Sequence, residues 1–379
     1  MSHTKINLES SSAHFSAAVG GGITPRERML LLPQDYIGSV EKCTRKIWVL
    51  EGVSMAHRMV TYVPGLLNIF DEMLVYAADN KQRDPEMDSL RVEVDAAECR
   101  ISIYYNGHGV PIELHPEEGV YMPEMIFGNL SSCEEIAGGR NSYGVKLTNL
   151  FSTEFVIETV DCRLEKKYKQ VFTENMGKKS EPEITDCLLG VNWTKITFKP
   201  DLAKFHMTHI DDDAIALMRR RVADMVGFLR KTVQVMFNNQ MFHGVESFPD
   251  YVVSFISTAY EGRRPPQRVS QRINDQLEVC VTKSEGNFQQ VSYVNKFATT
   301  EGGTHVDYVS DQIAACIVKE CSKDFQVEEC EVKRHLWVFV NASMDNPTFD
   351  SPTRDALTNP QESFGSIFEL STHFLQIGM

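Results

Sequence analysis

After Pro64 and Gly65 the apolar positions Leu66, Ile69, Phe70, Met73, Leu74 and Ala77 recur at helical spacing with no internal Pro or Gly, which predicts a core-facing helix. An acid, Glu72, interrupts the apolar run. Tyr76 follows one turn later and Asp79 and Asn80 a turn after that, so the four side chains share one helical face. A carboxylate in this setting is either a satisfied buried acid or a general base facing a pocket, and the helix alone leaves both readings open.

The rest of the chain divides by the same patterning. Residues 25–32 predict a short helix, 35–39 a turn and 46–49 a strand. Residues 90–94 and 99–105 alternate between acidic turns, as in an antiparallel hairpin, and the second runs into Asn106-Gly107-His108-Gly109. Paired glycines at a strand end let backbone approach a ligand closely, although plain turns use them too. A second cluster, Gly138-Gly139-Arg140-Asn141-Ser142-Tyr143-Gly144-Val145-Lys146, leads into the apolar segment 147–151. Glycines ahead of a helix, with Arg and Lys nearby, offer a polyphosphate free N–H groups, a favourable dipole and counter-charge; a tight loop is the alternative. Strands are predicted at 155–159, 168–173 and 194–198, with Thr194 facing the space these motifs surround. Residues 211–231 predict a longer helix whose Arg219-Arg220-Arg221 run is expected on a solvated face. The Arg-Arg-Pro-Pro stretch within 261–267 suggests a loop or boundary. Beyond it, strands near 278–282, 289–294 and 337–340 around a helix at 306–319 predict a second α+β unit.

Composition narrows the class. At 379 residues, 42% hydrophobic and 24% charged, the chain suits a globular protein of two or three domains with a sizeable core. No apolar run approaches the roughly 20 residues of a membrane span, and the polar, Ser-rich N-terminus lacks a secretory h-region. The nine cysteines form no C-x-x-C pair, so they are expected to be ordinary thiols in a reducing compartment rather than a zinc site or disulfide framework. A net charge of -14 weighs against a surface that grips nucleic acid as a whole, while leaving room for a local basic patch.

The order acid-bearing helix, N-G-x-G, then G-G-R-N-x-Y-G-x-K is that of the nucleotide pocket in the gyrase, heat-shock chaperone, histidine kinase and mismatch-repair ATPase superfamily. Within it the chain resembles the N-terminal ATPase and transducer region of eukaryotic type IIA DNA topoisomerases over residues 26–379. The shared blocks are Y-I-G-S-V-E, F-D-E-x-L-V, A-A-D-N-K-Q-R-D-P, G-G-R-N-S-Y-G-V-K-L, G-G-T-H-V-D-Y-V-S-D-Q-I and N-P-T-F-D-S. The resemblance implies an α/β protein: a flexible arm at 1–24, a two-layer α/β sandwich ATPase (Bergerat) domain at 25–245, and a smaller α+β transducer domain at 246–379 that is incomplete at its C-terminus. It implies ATP and Mg²⁺ as ligands, with Glu72 as the base that orients and deprotonates the attacking water. The implied ATP-binding residues are Asn80, Arg83, Asn106, Gly107, Gly109, Ser131, Ser132, Gly139, Arg140, Asn141, Ser142, Tyr143, Gly144, Lys146, Thr194 and Arg354. Two such units would dimerise on nucleotide binding and close a gate behind a captured DNA segment. DNA would be engaged through the rest of the enzyme, since these residues contain no cleavage domain. The implied location is the nucleus, with the mitochondrion as the alternative.

Departures from the family pattern gather on the same ligand. Tyr76 stands where an Asn ligates the metal, and a phenol is a poor ligand for a hard cation at neutral pH. Tyr105 stands at the adenine-reading position. The lid is shorter, with Cys133 after Ser131-Ser132 and Ser142 in place of a glycine, and a nearby lysine-rich stretch is reduced to Lys319-Glu320-Cys321-Ser322-Lys323-Asp324-Phe325. The transducer's Gln-Thr-Lys loop reads Pro352-Thr353-Arg354, which keeps a charge but changes its shape. Two expectations follow. Either the chain is an active ATP gate, with Asp79 or Asn80 replacing the metal ligand, or it is a degenerate paralogue with weak or no hydrolysis. The paralogue would serve as a structural or interaction module, pairing with itself or with an active homologue.

Overall fold

The structure, a computed structural model, describes residues 22–130, 135–136, 140–141, 143–188, 190–321 and 327–364. Helix α1 (Pro25–Leu31) begins with a capping box: Thr24 accepts from the Glu27 N–H, and the Glu27 carboxylate accepts from the Thr24 N–H. Strands β1 (Cys43–Glu51) and β2 (Ser54–Tyr62) then form an antiparallel hairpin. Helix α2 (Pro64–Arg83) starts on Pro64, whose fixed φ suits a first helical turn, and buries Leu66, Ile69, Phe70, Met73, Leu74 and Ala77 as their spacing predicts.

After α2 come β3 (Ser89–Asp95), β4 (Arg100–Asn106), α3 (Met122–Gly128), the short hairpin β5 (Glu135–Ile136) and β6 (Arg140–Asn141), and α4 (Tyr143–Leu150). Then follow β7 (Ser152–Asp161), β8 (Lys166–Thr173), β9 (Lys178–Lys179), β10 (Glu183–Asp186), β11 (Trp193–Pro200), α5 (Asp212–Leu229), β12 (Gln234–Phe237) and β13 (Gln240–Met241). The first large sheet runs β10-β8-β7-β11-β4-β3-β12-β13, with β9 added on β8. Its neighbours are antiparallel apart from the parallel β12–β3 pair. Strand β11 alternates half-buried and buried residues along its length, one face packing on α2, α4 and α5. This is the expected two-layer α/β sandwich.

Helix α6 (Phe248–Ala259) leads to β14 (Arg268–Arg272), β15 (Leu277–Lys283), β16 (Gln289–Val294), β17 (Phe297–Ala298) and β18 (Gly302–Gly303). Helices α7 (Thr304–Cys321) and α8 (Glu329–Arg334), then β19 (Leu336–Ala342) and β20 (Ala356–Leu357), complete the described chain. The second sheet runs β14-β15-β19-β16-β17. Its central strand β19 is buried on both faces: Val338 and Val340 point to α7, while Trp337 and Phe339 meet α6 and Trp48 of β1. This matches the smaller α+β unit read from the pattern.

One expectation fails outright. Arg220 and Arg221 are buried, not solvated, because α5 is covered by α2, the β1–β2 hairpin and α6. Arg221 Nε lies 3.0 Å from both Asp71 carboxylate oxygens, Nη1 pairs with Asp224, and Nη2 donates to the Lys296 carbonyl at 2.8 Å. Arg220 donates to Tyr293 Oη at 3.1 Å. Paired acids and carbonyls are what make two buried guanidinium groups tolerable.

Candidate nucleotide site

Glu72 projects from α2 against the first turn of α4. A Cβ on Gly144 would overlap its carboxylate, so only glycine lets the α4 backbone come this close. The other side of Glu72 is met from the far end of the chain: Arg354 Nη2 lies 2.5 Å from Glu72 Oε1. Arg354 sits at φ +60, and its guanidinium lies over the Phe297 ring at 3.9 Å. Its Nη1 is buried without a hydrogen-bond partner.

Three further contacts hold the second unit on α2 and on the segment before β1. Lys296 Nζ pairs with Asp79 Oδ1 at 2.7 Å, both side chains nearly buried. Asn68 donates its amide to the carbonyls of Ile37 at 3.1 Å and Pro352 at 3.2 Å. Thr353 packs so closely on Gly38 that a Cβ there would overlap it.

The loop after β4 is built by close approach. Gly107, at φ +94, has no room for a Cβ beside Asp84 Oδ2, which accepts from the His108 N–H at 2.7 Å and lies 2.9 Å from His108 Nδ1. Burial pushes the Asp84 carboxyl pKa up. Hydrogen bonds from the His108 imidazole and from the Glu86 and His108 N–H groups outweigh that and hold it below the usual range. A Cβ on Gly109 would lie 2.7 Å from Thr194 Oγ1, which accepts from the Val110 N–H at 3.2 Å and shares a 2.8 Å hydrogen bond with Thr159. Thr194 therefore faces the glycine loop as its strand alternation implies. Asp84 and Thr159 shape the same loop; Asp84 lies within the shared A-A-D-N-K-Q-R-D-P block, whereas Thr159 carries no sequence signal beyond being polar.

One turn along α2 from Glu72 the lining is aromatic. The Tyr76 ring packs edge-on to Phe127 at 5.4 Å and to Tyr105 at 6.5 Å, and the Arg83 guanidinium lies 5.0 Å from its centre. Tyr105, paired across the sheet with Thr194, is wholly buried. Its hydroxyl lies near Thr194 and Tyr76 but in hydrogen-bonding geometry with neither, and burial pushes its pKa well above that of a free phenol.

The predicted residues thus separate. Glu72, Gly144 and Arg354 converge, with Lys146 buried on the same short helix. Gly107, Gly109 and Thr194 form a second group. Asn80 is buried and donates to the Asn106 carbonyl at 3.1 Å. The Asn106 side chain turns instead to the start of β3, accepting from Asp88 and Ser89 N–H groups and donating to Asp88. Tyr143 reaches α1, its hydroxyl 3.6 Å from Met29 Sδ. Arg140 and Asn141 pair with Glu135 and Ile136 as backbone, and Ser131, Ser132, Gly139 and Ser142 lie outside the described residues.

The donors present do not fit a protein-held Mg²⁺. Position 76 offers an aromatic ring, Asp79 is held by Lys296 and Glu72 by Arg354. Among the described residues no three His, Cys, Asp or Glu side chains gather as a metal site.

A family model described as DNA gyrase B matches residues 224–376. DNA topoisomerase 2 of Arabidopsis thaliana is 52% identical over 98% of this chain and 27% of its own length. DNA topoisomerase 2 of Pisum sativum is 52% identical over 90% of the chain and 24% of its own length. The chain therefore spans about a quarter of the length of these relatives. The crystal structure of the ATPase region of Saccharomyces cerevisiae topoisomerase II superposes with a TM-score of 0.85 at 40% identity, covering 94% of both chains.

Proposed function

The chain belongs to the type IIA DNA topoisomerase family, in its ATPase and transducer region, and on that premise we propose that it hydrolyses ATP to close a dimer gate during DNA strand passage. One observation carries the reading: Glu72, the start of α4 and Arg354 meet at one point, and Arg354 arrives from beyond the second sheet. A terminal phosphoryl group at that point would meet a carboxylate, helix-start N–H groups and a guanidinium. Glu72 takes a proton from the attacking water as its oxygen bonds to the γ-phosphorus. The bond from that phosphorus to the bridging oxygen breaks, and the diphosphate leaves with the electron pair.

For this, Arg354 exchanges Glu72 for the phosphoryl oxygens, and the buried Nη1 is a donor already in place. The exchange frees the base and alters the contact between the two units, a route by which nucleotide state would reach the transducer. The division at residues 245 and 246, action on DNA through the remainder of the enzyme, pairing of two copies and a nuclear location belong to the same proposal.

Calorimetric titration with a non-hydrolysable ATP analogue, followed by sedimentation, tests it. Binding in the micromolar range with dimer formation is expected, and Glu72→Gln should retain binding while slowing turnover at least about 100-fold. Unchanged turnover in Glu72→Gln would remove Glu72 as the base, and absence of binding would overturn the proposal. The aromatic packing of Tyr76, Tyr105 and Phe127 favours a second reading, the degenerate paralogue that keeps the fold with weak or no hydrolysis. Absence of binding in the same titration is its signature.

A further inference from the structure

Building on the nucleotide reading above, we propose that this site binds its nucleoside triphosphate free of a divalent cation. Arg354 supplies the positive charge in its place, and Lys296 neutralises the carboxylate that would otherwise draw one. Positions 68, 72, 76 and 79 follow one another along one face of α2 at intervals of about one turn. Each is committed to something other than a metal. Asn68 turns its amide nitrogen to the Ile37 and Pro352 carbonyls, 3.1 and 3.2 Å away. Glu72 Oε1 lies 2.5 Å from Arg354 Nη2, and Asp79 Oδ1 lies 2.7 Å from Lys296 Nζ. Between the two carboxylates stands the Tyr76 ring, packed edge-on to Phe127 with the Arg83 guanidinium 5.0 Å from its centre.

Magnesium asks for the opposite arrangement. It is held by oxygen ligands at about 2.0–2.1 Å in octahedral geometry, one or two of them carboxylates that bring negative charge. Here each carboxylate of the face already has a cation against it, and the side chain between them is a phenol that stays protonated and neutral at pH 7. A divalent ion entering the face would have to displace a guanidinium or an ammonium from a nearly buried acid and would then be repelled by it. A triphosphate meets the same groups favourably. Its terminal oxygens can accept from Arg354, whose Nη1 is buried without a partner, and a guanidinium fork suits phosphate.

Both cations reach α2 from the second unit, and the backbone there is shaped to deliver them. Arg354 at φ +60 and Lys296 at φ +70 lie in the left-handed region, which residues with a side chain seldom adopt. The Lys296 carbonyl is also tied to Arg221 Nη2 at 2.8 Å.

Calorimetric titration of the wild-type chain with the β,γ-imido analogue of ATP, once in excess Mg²⁺ and once in EDTA, tests this directly. The two dissociation constants should agree within about threefold. A loss of affinity of about tenfold or more in EDTA overturns the inference and leaves the nucleotide reading intact. Failure to bind in both buffers overturns that reading, and this inference falls with it. Lys296→Met, which removes the ammonium from Asp79, should acquire a preference for Mg²⁺ of about tenfold or more, while Lys296→Arg should behave as the wild type. A Lys296→Met chain that is folded by circular dichroism and still binds alike in the two buffers would overturn the part assigned to Lys296. The wild-type comparison decides the proposal whether or not that variant folds.

Discussion

Two tyrosines of the first sheet, both wholly buried, face opposite energetic situations. Tyr168 donates to Gln170 Oε1 at 2.6 Å, and Gln170 in turn donates to Glu124 at 2.6 Å. Tyr105 has no partner for its hydroxyl. A buried polar group left unpaired costs about 1–3 kcal/mol, whereas a satisfied one contributes about 1 kcal/mol. Removing each hydroxyl should therefore have opposite signs. Without nucleotide, Tyr105→Phe is expected to be neutral or to stabilise by about 1 kcal/mol, and Tyr168→Phe to destabilise by about that amount. Chemical denaturation of the two variants measures the difference. Equal losses would mean that Tyr105 is paired in solution.

At the scale of elements, α5 depends on its buried arginines. Arg221 is shared among Asp71 of α2, Asp224 of its own helix and the Lys296 carbonyl before β17, so it joins two helices to the second sheet. Truncating it strands the Asp71 carboxylate and leaves Asp224 to Tyr251, Tyr293 and Arg220, and Arg221→Ala should destabilise by about 3 kcal/mol, read as a lower denaturant midpoint. A loss below about 1 kcal/mol would mean that the acids are hydrated and the set is peripheral.

The same helix shows where reading from sequence stops. The apolar faces of α2 and of the β3–β4 hairpin are legible because one side of each is buried, which leaves the period intact. A run of three arginines looks the same whether it faces water or faces Asp71 and Asp224, since that proximity is tertiary. Strand β2 hides for a related reason: Met, His and Arg alternate on a hairpin that is exposed at several positions, so no clear stripe forms. Helix α6 does carry a start signal, Ser247 capping the Asp250 N–H with Pro249 in the first turn, and sequence reading passes over it. At the site, Glu72 stands out as an acid in an apolar helix. Its partner Arg354 enters only by resemblance, and the orientation of Asn106 away from the pocket depends on pairing with β3 that no motif records.

Across the whole molecule the question is whether the two sheets unfold together or apart. Polar links between them include Glu72–Arg354 and Asp79–Lys296, part-exposed or at the margin of burial, each worth about 1 kcal/mol or somewhat more. Beside them runs a continuous apolar seam in which Trp48 stacks on Trp337 at 5.8 Å and meets Phe255 at 5.3 Å, with Phe248, Tyr293 and Phe339 packed around them. Each fully buried large apolar side chain contributes about 1.5–3 kcal/mol, so the seam outweighs the ion pairs several-fold. The loop carrying Arg354 can then change partners without parting the units, as a contact that reports nucleotide state requires. The double variant Arg354→Ala with Lys296→Met should accordingly still melt in a single calorimetric transition, lowered by about 2–6 °C. Two resolved transitions in that variant would mean that the ion pairs, and not the aromatic seam, join the units. Trp337→Ala, which opens the seam and leaves both ion pairs in place, is the variant in which two transitions are expected.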